Sequence, residues 1–462
     1  MDANVDWAQR TFGHARLGNV SRVRRLVSMA TVLAQRPAGT VTSVFDSSAE
    51  REGAFRLLAS EHVRAGAVVA SVAAATFRAC SGRVYCAVDG TSISLTDTRD
   101  SRDIGVVGNW SAAGRGLHAL TALVIDERGA PIGLGGVQFW ARTRRGARSN
   151  NRHHPDFALT GELRHTIELV QQLDEMHRKQ RPDVEVWYQF DRGFDSSALL
   201  SLVADRGLRV TIRASNERRL ESQGKHRRYL RRTVRRAPSL GDILLEVPAR
   251  NDQPARLAVL RVRATRVRIA LPVNHGRLRR TVEMTAVEAK EVGHRGKRAL
   301  HWLLLTTAHA ETLAEARVVL DGYALRWRIE ELHRTWKSGW CNVEQTQLRG
   351  RGALEKWATL HLAVASRAMR LAHLARTDPD RAALEELSRD EIDAIVILSS
   401  KRKPAKYKPG DTPSLGDVAL LLARLGGFVG KSSGGPPGAT VIGRGLERIA
   451  SLAEGLLLMR QT

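Results

Sequence analysis

Apolar residues recur every three or four positions through residues 5–70, most clearly in RVRRLVSMATVLA and AEREGAFRLLA, and this spacing predicts helices. The middle of the chain reads differently. VYCAVDG (84–90) is a short apolar, β-rich run that ends on Asp89, and GLHALTALVID and APIGLGGVQFW are two more, joined as a hairpin by the turn sequence DERGA. A helical period follows over 158–179. VEVWYQFDRG (184–193) then reads as a strand ending on Asp191, residues 195–205 as a short helix and LRVTIRA (208–214) as a fifth strand.

From about 222 to 297 the pattern changes again, opening on the dense basic cluster KHRRYLRRTVRRAP and continuing in strand-like segments. RLAVLRVRATRVRIAL alternates arginines against apolar residues, which predicts a sheet with one wet, basic face. ALHWLLLTT (299–307) is a buried strand, residues 311–339 are helical with Gly339 as the stop, and 353–375 form another helix. LGDVALLLARLGG and RGLERIASLAEGLLLMR supply two tail helices, separated by the glycine- and serine-rich GKSSGGPPGAT.

Composition narrows the partners. Lys and Arg number 73 against 48 Asp and Glu, so the 462-residue chain carries +25. That excess favours a polyanion, because each phosphate contact releases condensed counterions. Nucleic acid is the partner expected, ahead of an anionic membrane surface, although a GC-rich genome also enriches arginine. No apolar run approaches the roughly 20 residues that span a bilayer, so no membrane insertion is expected. The three cysteines form no CxxC pair and read as buried thiols of a reducing cytoplasm. No GxxxxGK[ST] occurs, so no nucleotide cofactor is expected, and the adjacent His153 and His154 read as surface residues rather than a zinc site.

Three acids stand at chemically useful places. Asp89 and Asp191 close two strands, and Glu330 lies on the helix after the β insertion. Carboxylates converging from strand ends and a helix suit hard Mg2+ or Mn2+, and two such ions can activate a nucleophile and stabilise a leaving oxygen. The element order β-β-β-α-β-α-β-α is that of an RNase H-like domain. In YALRWRIEELHRTWK, about 100° per residue sets Tyr323 at 0°, Arg326 near 300°, Glu330 near 340° and Lys337 near 320°. Glu331 falls near 80°, away from that face. Surface salt bridges at i,i+4 and i,i+7 are the alternative reading of the same pattern.

The string Y-x2-R-x3-E-x6-K, here Tyr323, Arg326, Glu330 and Lys337, resembles the YREK signature of bacterial insertion-sequence DDE transposases, the cut-and-paste type of composite antibiotic-resistance transposons. VDGTSIS, FDRGFD and HWLLLTT extend the likeness, as do DWAQRTFGHARLGNVSRVRRLV near the start and LLLARLGGF near the end, so it covers nearly the whole chain. The resemblance implies an α/β, RNase H-like catalytic core with an inserted β-subdomain, flanked by helical N- and C-terminal domains. Asp89, Asp191 and Glu330 would bind two Mg2+ or Mn2+ ions per active site. Tyr323, Arg326 and Lys337 would hold the terminal phosphate and the strand near the cut. Trp302 matches a tryptophan that holds a flipped base, or else is a core residue of its strand. Arg22 and Arg25 match arginines that contact the element's end, and Arg213 and Arg334 are further candidates for DNA-backbone contacts. Just after Arg192 the chain departs from the family, with Gly193 and Phe194 where an acidic residue often stands.

The domains expected are 1–70 for end recognition, 71–375 for catalysis with the insertion at about 222–297, and 376–462 for dimerisation. The expected partners are double-stranded DNA, as inverted-repeat ends and as target, and a second copy of the chain in a synaptic complex. The expected location is the bacterial cytoplasm, at the nucleoid. A plain metal-dependent nuclease and a catalytically silent DNA-binding regulator remain the alternatives.

Overall fold

The computed structural model describes residues 3–97, 102–108, 114–142, 163–222, 227–247, 255–271, 280–293, 299–400, 406–430 and 436–461. His153 and His154 lie outside these residues. The first helices are α1 (Ala3–Phe12), α2 (Val20–Gln35), α3 (Val41–Val44), α4 (Ser48–Ala59) and α5 (Ala65–Arg78). Asn19 caps α2, and Ser47 with Glu50 forms a reciprocal capping box on α4, so these helices start where side chains satisfy the free N–H groups. Leu26, Met29, Ala30 and Leu33 bury one face of α2.

The core strands are β1 (Arg83–Leu95), the short β2 (Gly105–Val107), β3 (Gly114–Asp126), β4 (Pro131–Trp140), β5 (Glu185–Phe190) and β6 (Arg209–Arg213), with helices α6 (Leu163–Gln180) and α7 (Ser197–Arg206) between them. β1 pairs antiparallel with β3 and parallel with β5, β3 pairs antiparallel with β4, and β5 pairs parallel with β6. Leaving aside β2, the spatial order β4-β3-β1-β5-β6 is third-second-first-fourth-fifth, the arrangement of an RNase H-like sheet. β5 is buried on both faces: Val186, Tyr188 and Phe190 pack with α6 and α7, while Trp187 packs on the other side with Tyr85.

The insertion comprises β7 (Arg219–Leu220), β8 (Arg228–Tyr229), α8 (Leu230–Arg236), β9 (Ser239–Val247), β10 (Arg256–Leu271) and β11 (Arg280–Glu291), and the chain returns through β12 (His301–Thr306). Because β12 pairs with both β6 and β11, the insertion extends the core sheet into one twelve-stranded sheet. The alternation in β10 is real, but its exposed face is not simply basic. Arg261 pairs with Asp242 at 2.9 Å, Arg268 with Glu221 at 2.8 Å, and Arg256 with Glu291, so cross-strand acids neutralise much of it.

After β12 come α9 (Leu313–Ala324), α10 (Arg328–Lys337), α11 (Arg351–Thr377), α12 (Arg389–Ser400), α13 (Leu415–Leu425) and α14 (Ala439–Gln461). The single helix expected over 311–339 is two, joined by a 3-10 turn at Leu325–Trp327. α11 is buried almost all round and carries Trp357, Leu360, Leu362 and Val364 into the core shared by the N-terminal helices and the tail. Cys80, Cys86 and Cys341 are buried free thiols, and burial pushes the Cys80 thiol up to about 12. Among the described residues no helix is long and apolar enough to cross a membrane.

Candidate active site

Asp89 does not end its strand. β1 runs on to Leu95 along β3, but its pairing with β5 stops at Val88, so the carboxylate stands where the parallel part of the sheet opens. Asp191 follows the last residue of the neighbouring β5, and its side chain accepts from the Gly193 N–H at 2.7 Å, capping a one-turn 3-10 helix. The parallel register pairs Tyr85 with Trp187 and Ala87 with Gln189, which puts Asp89 and Asp191 in the next row on the same face. α10 lies across that face: Ile329, Leu332 and Trp336 share a core with Ala87, Ala119 and Leu123.

The YREK residues come from three successive elements rather than one continuous helix: Tyr323 from α9, Arg326 from the 3-10 turn, and Glu330 and Lys337 from α10. Arg326, in the 3-10 turn, reaches Asp89 Oδ2 with Nη1 at 3.2 Å and Glu330 Oε1 with Nη2 at 3.3 Å. One guanidinium therefore spans the carboxylates of β1 and α10. Glu331 instead pairs with Arg328 at 3.3 Å, and Arg328 also bonds His373, on the side away from the aspartates. Lys337 is 3.6 Å from Glu344, whose Oε1 also accepts from the Ser94 N–H at 2.9 Å. Glu344 carries no signal in the 323–337 string and becomes visible only through this fold.

Asp89 feels its charged neighbours. Burial pushes Asp89 up to about 6; Arg326 and the Gly90 N–H work against that rise, while Asp191 and Glu330 add to it. Burial also opposes the charge of Arg326, yet Tyr323, Asp89, Asp191 and Glu330 around it outweigh burial and raise its pKa. No three His, Cys, Asp or Glu side chains among the described residues stand close enough to hold a metal as placed. The donor set still suits a hard dication: Asp89, Asp191 and Glu330 are carboxylates around Arg326, and burial, helped by the neighbouring acids, keeps Asp89 hard to ionise until more positive charge arrives.

The aromatic part of the site is packed. Trp302 is 3% exposed, with its ring edge-on to Tyr323 at 5.2 Å and to Trp327 at 5.6 Å. Tyr323 is buried too, which raises its pKa, and its ring lies 5.9 Å from the Arg326 guanidinium. Gly322 lets α9 approach the sheet, since a Cβ there would stand 2.3 Å from the Tyr85 ring. Trp327, in the same string, was not singled out by the sequence pattern. Arg213, half-buried on β6, donates to the His301 carbonyl at 3.1 Å on this same side of the sheet. Arg334 is exposed on α10. Arg22 and Arg25 are far away in sequence on α2: Arg22 donates to the Leu17 carbonyl at 3.0 Å, and the Arg25 guanidinium lies over Gly53 of α4.

Three family models match the chain: a transposase DNA-binding domain over residues 4–63, a transposase DDE domain over residues 149–366 and the transposase Tn5 dimerisation domain over residues 363–462. Asp191 and Glu330 fall inside the second match and Asp89 lies before it. Among solved structures, the chain is similar to a piggyBac transposase synaptic complex with hairpin DNA, at 10% identity over 79% of this chain and 74% of that one, with a TM-score of 0.40.

Proposed function

Since the chain belongs to the insertion-sequence DDE transposases, we propose that it performs cut-and-paste transposition with Mg2+ at the Asp89–Asp191–Glu330 face. It is a DNA transposase that binds double-stranded DNA and forms a homodimer, and its family's DDE domain carries divalent-metal dependence. The finer steps are our reading: nicking at the element's ends, hairpin formation and resolution, and strand transfer into a target. The observation that carries it is Arg326 spanning Asp89 and Glu330 while Asp191 acts electrostatically on Asp89 and Arg326, beyond the paired stretch of two adjacent parallel strands.

Asp89, Asp191 and Glu330 would hold two divalent ions, which supply activation of the attacking oxygen and stabilisation of the leaving one. Arg326 would then turn from the carboxylates to the scissile phosphate, where a planar guanidinium can grip two oxygens. Lys337 and the Tyr323 hydroxyl would hold the same phosphate and its strand. Trp302, now packed between Tyr323 and Trp327, would receive an unstacked base once the two rings part. Arg213 and Arg334 would contact the backbone beside the cut.

Residues 1–70 would recognise the inverted-repeat ends through Arg22 and Arg25. Residues 71–375 would form the catalytic unit and 376–462 the pairing surface between copies. Incubating the purified chain with Mg2+ and DNA carrying the element's own ends tests this reading. Hairpin-ended product that disappears in Asp89→Asn and Glu330→Gln supports it; nicking that survives both substitutions overturns the site.

A further inference from the structure

One polar chain crosses the core beneath the carboxylates. Thr121 on β3 is the register partner of Asp89 on β1, so both side chains rise from the same face of the sheet. Thr121 is fully buried, and its Oγ1 donates to the Asp89 carbonyl at 3.3 Å. The same oxygen lies 2.7 Å from His333 Nε2, and His333 sits one turn beyond Glu330 on α10, 9% exposed. A hydroxyl has one proton to give. With that proton on the Asp89 carbonyl, His333 Nε2 must carry its own hydrogen and donate it to Thr121, which fixes both the tautomer and the ring orientation.

The surroundings keep this relay neutral. Burial pushes His333 down to about 3, and Lys337 and Arg326 nearby push the same way. A protonated imidazole there would add a third positive charge to the face. Around this bond Ile329, Leu332 and Trp336 pack against Ala119 and Leu123 with no direction of their own, and Arg326 links Asp89 and Glu330 from above. The hydrogen bond at Thr121 is directional, and it links the backbone that carries Asp89 to the helix that carries Glu330.

We propose that Thr121 and His333 are positioning residues that set the spacing between the Asp89 and Glu330 carboxylates, and thereby the site's affinity for a divalent ion. The proposal rests on the reading of those acids as metal ligands. Outer partners of this kind typically change metal affinity by about 10–100-fold when removed.

The test is Mn2+ binding to the full chain, followed by electron paramagnetic resonance of the free ion, with thermal unfolding and end-DNA binding measured alongside. Thr121→Val keeps the shape and removes the hydroxyl. His333→Leu removes the donor, and His333→Gln keeps an N–H near the Nε2 position. The expected result is about a tenfold larger Mn2+ dissociation constant in Thr121→Val and His333→Leu, recovered to within about threefold in His333→Gln, with DNA binding near wild type and the loss of affinity not tracking the lowered unfolding temperature that an unpaired buried group brings. Unchanged Mn2+ affinity in Thr121→Val and His333→Leu overturns the inference, as does a loss in all three variants that simply follows a lowered unfolding temperature. Asp89→Asn with Glu330→Gln separates the two layers. If that double variant binds Mn2+ like wild type, the metal-site reading itself fails; if it loses the ion while the relay variants keep it, only the relay fails.

Discussion

Asp89→Asn is expected to stabilise the metal-free protein at neutral and alkaline pH while removing its chemistry. The carboxyl is pushed from 3.8 to about 6, mainly by burial and then by Asp191 and Glu330 against the pull of Arg326. An acid with a raised folded pKa stabilises the fold only while protonated. Its contribution is complete below the unfolded value near 4, falls as pH rises through about 6, and is gone above about 7. Two units correspond to about 3 kcal/mol. Asparagine never ionises and so avoids that cost, but its single oxygen can replace either Oδ1, which takes the Gly90 N–H, or Oδ2, which takes Arg326, so one of those two bonds is lost. A gain of about 1–3 kcal/mol at pH 8, shrinking to near zero at pH 4, is the expected outcome. Thermal and urea unfolding of both proteins across that range, in chelator, measures it. Saturating Mg2+ should narrow the gap by stabilising only the wild type. A difference of constant size across pH, or a less stable variant at pH 8, refutes the reasoning.

Other perturbations follow from the same geometry. Arg326→Ala removes the cation that spans Asp89 and Glu330; single-turnover end cleavage should fall by about 10²–10³-fold, with Arg326→Lys recovering only part because it cannot reach both acids. Glu331→Gln, by contrast, breaks the pair with Arg328 and leaves the Asp89–Arg326–Glu330 bridge intact, so it should leave cleavage within a few-fold of wild type, while Glu330→Gln abolishes it. Asp195→Ala strands the buried Arg218, whose guanidinium it holds together with the Ser215 and Asn216 N–H groups. That should cost about 3–5 kcal/mol in denaturant unfolding without a specific change in metal affinity.

Much of the core was legible because period and burial agreed. The β3–β4 hairpin, the alternation in β10 and the helices over 20–35 and 351–377 all follow runs whose apolar spacing matches one element. Two features escaped for physical reasons. A strand's burial can stop before its hydrogen bonding does: β1 loses its buried run at Asp89 yet continues to Leu95 on β3 alone, so an apolar run marks the sheet's core and not the strand's end. A wheel drawn at constant pitch also cannot see a 3-10 turn, and the break at Leu325–Trp327 divides Tyr323 from Glu330. Arg326 and Glu330 meet all the same, because four residues separate them and the turn tightens the helix without reversing it. The partners of the basic strand, such as Asp242 for Arg261, depend on strand pairing and had no local signature. The link from Thr121 to His333 spans 212 residues and is equally invisible to spacing.

The central claim is that Asp89, Asp191 and Glu330 bind the divalent ion that cuts DNA, and metal-specificity exchange tests it most directly. Each acid is replaced by cysteine in turn, and nicking of end-bearing DNA is measured in Mg2+ and in the more thiophilic Mn2+. The account predicts no nicking in Mg2+ for any of the three variants and partial recovery in Mn2+. Wild-type nicking in Mg2+ by any one of them, or no recovery by Mn2+ at any position, contradicts it.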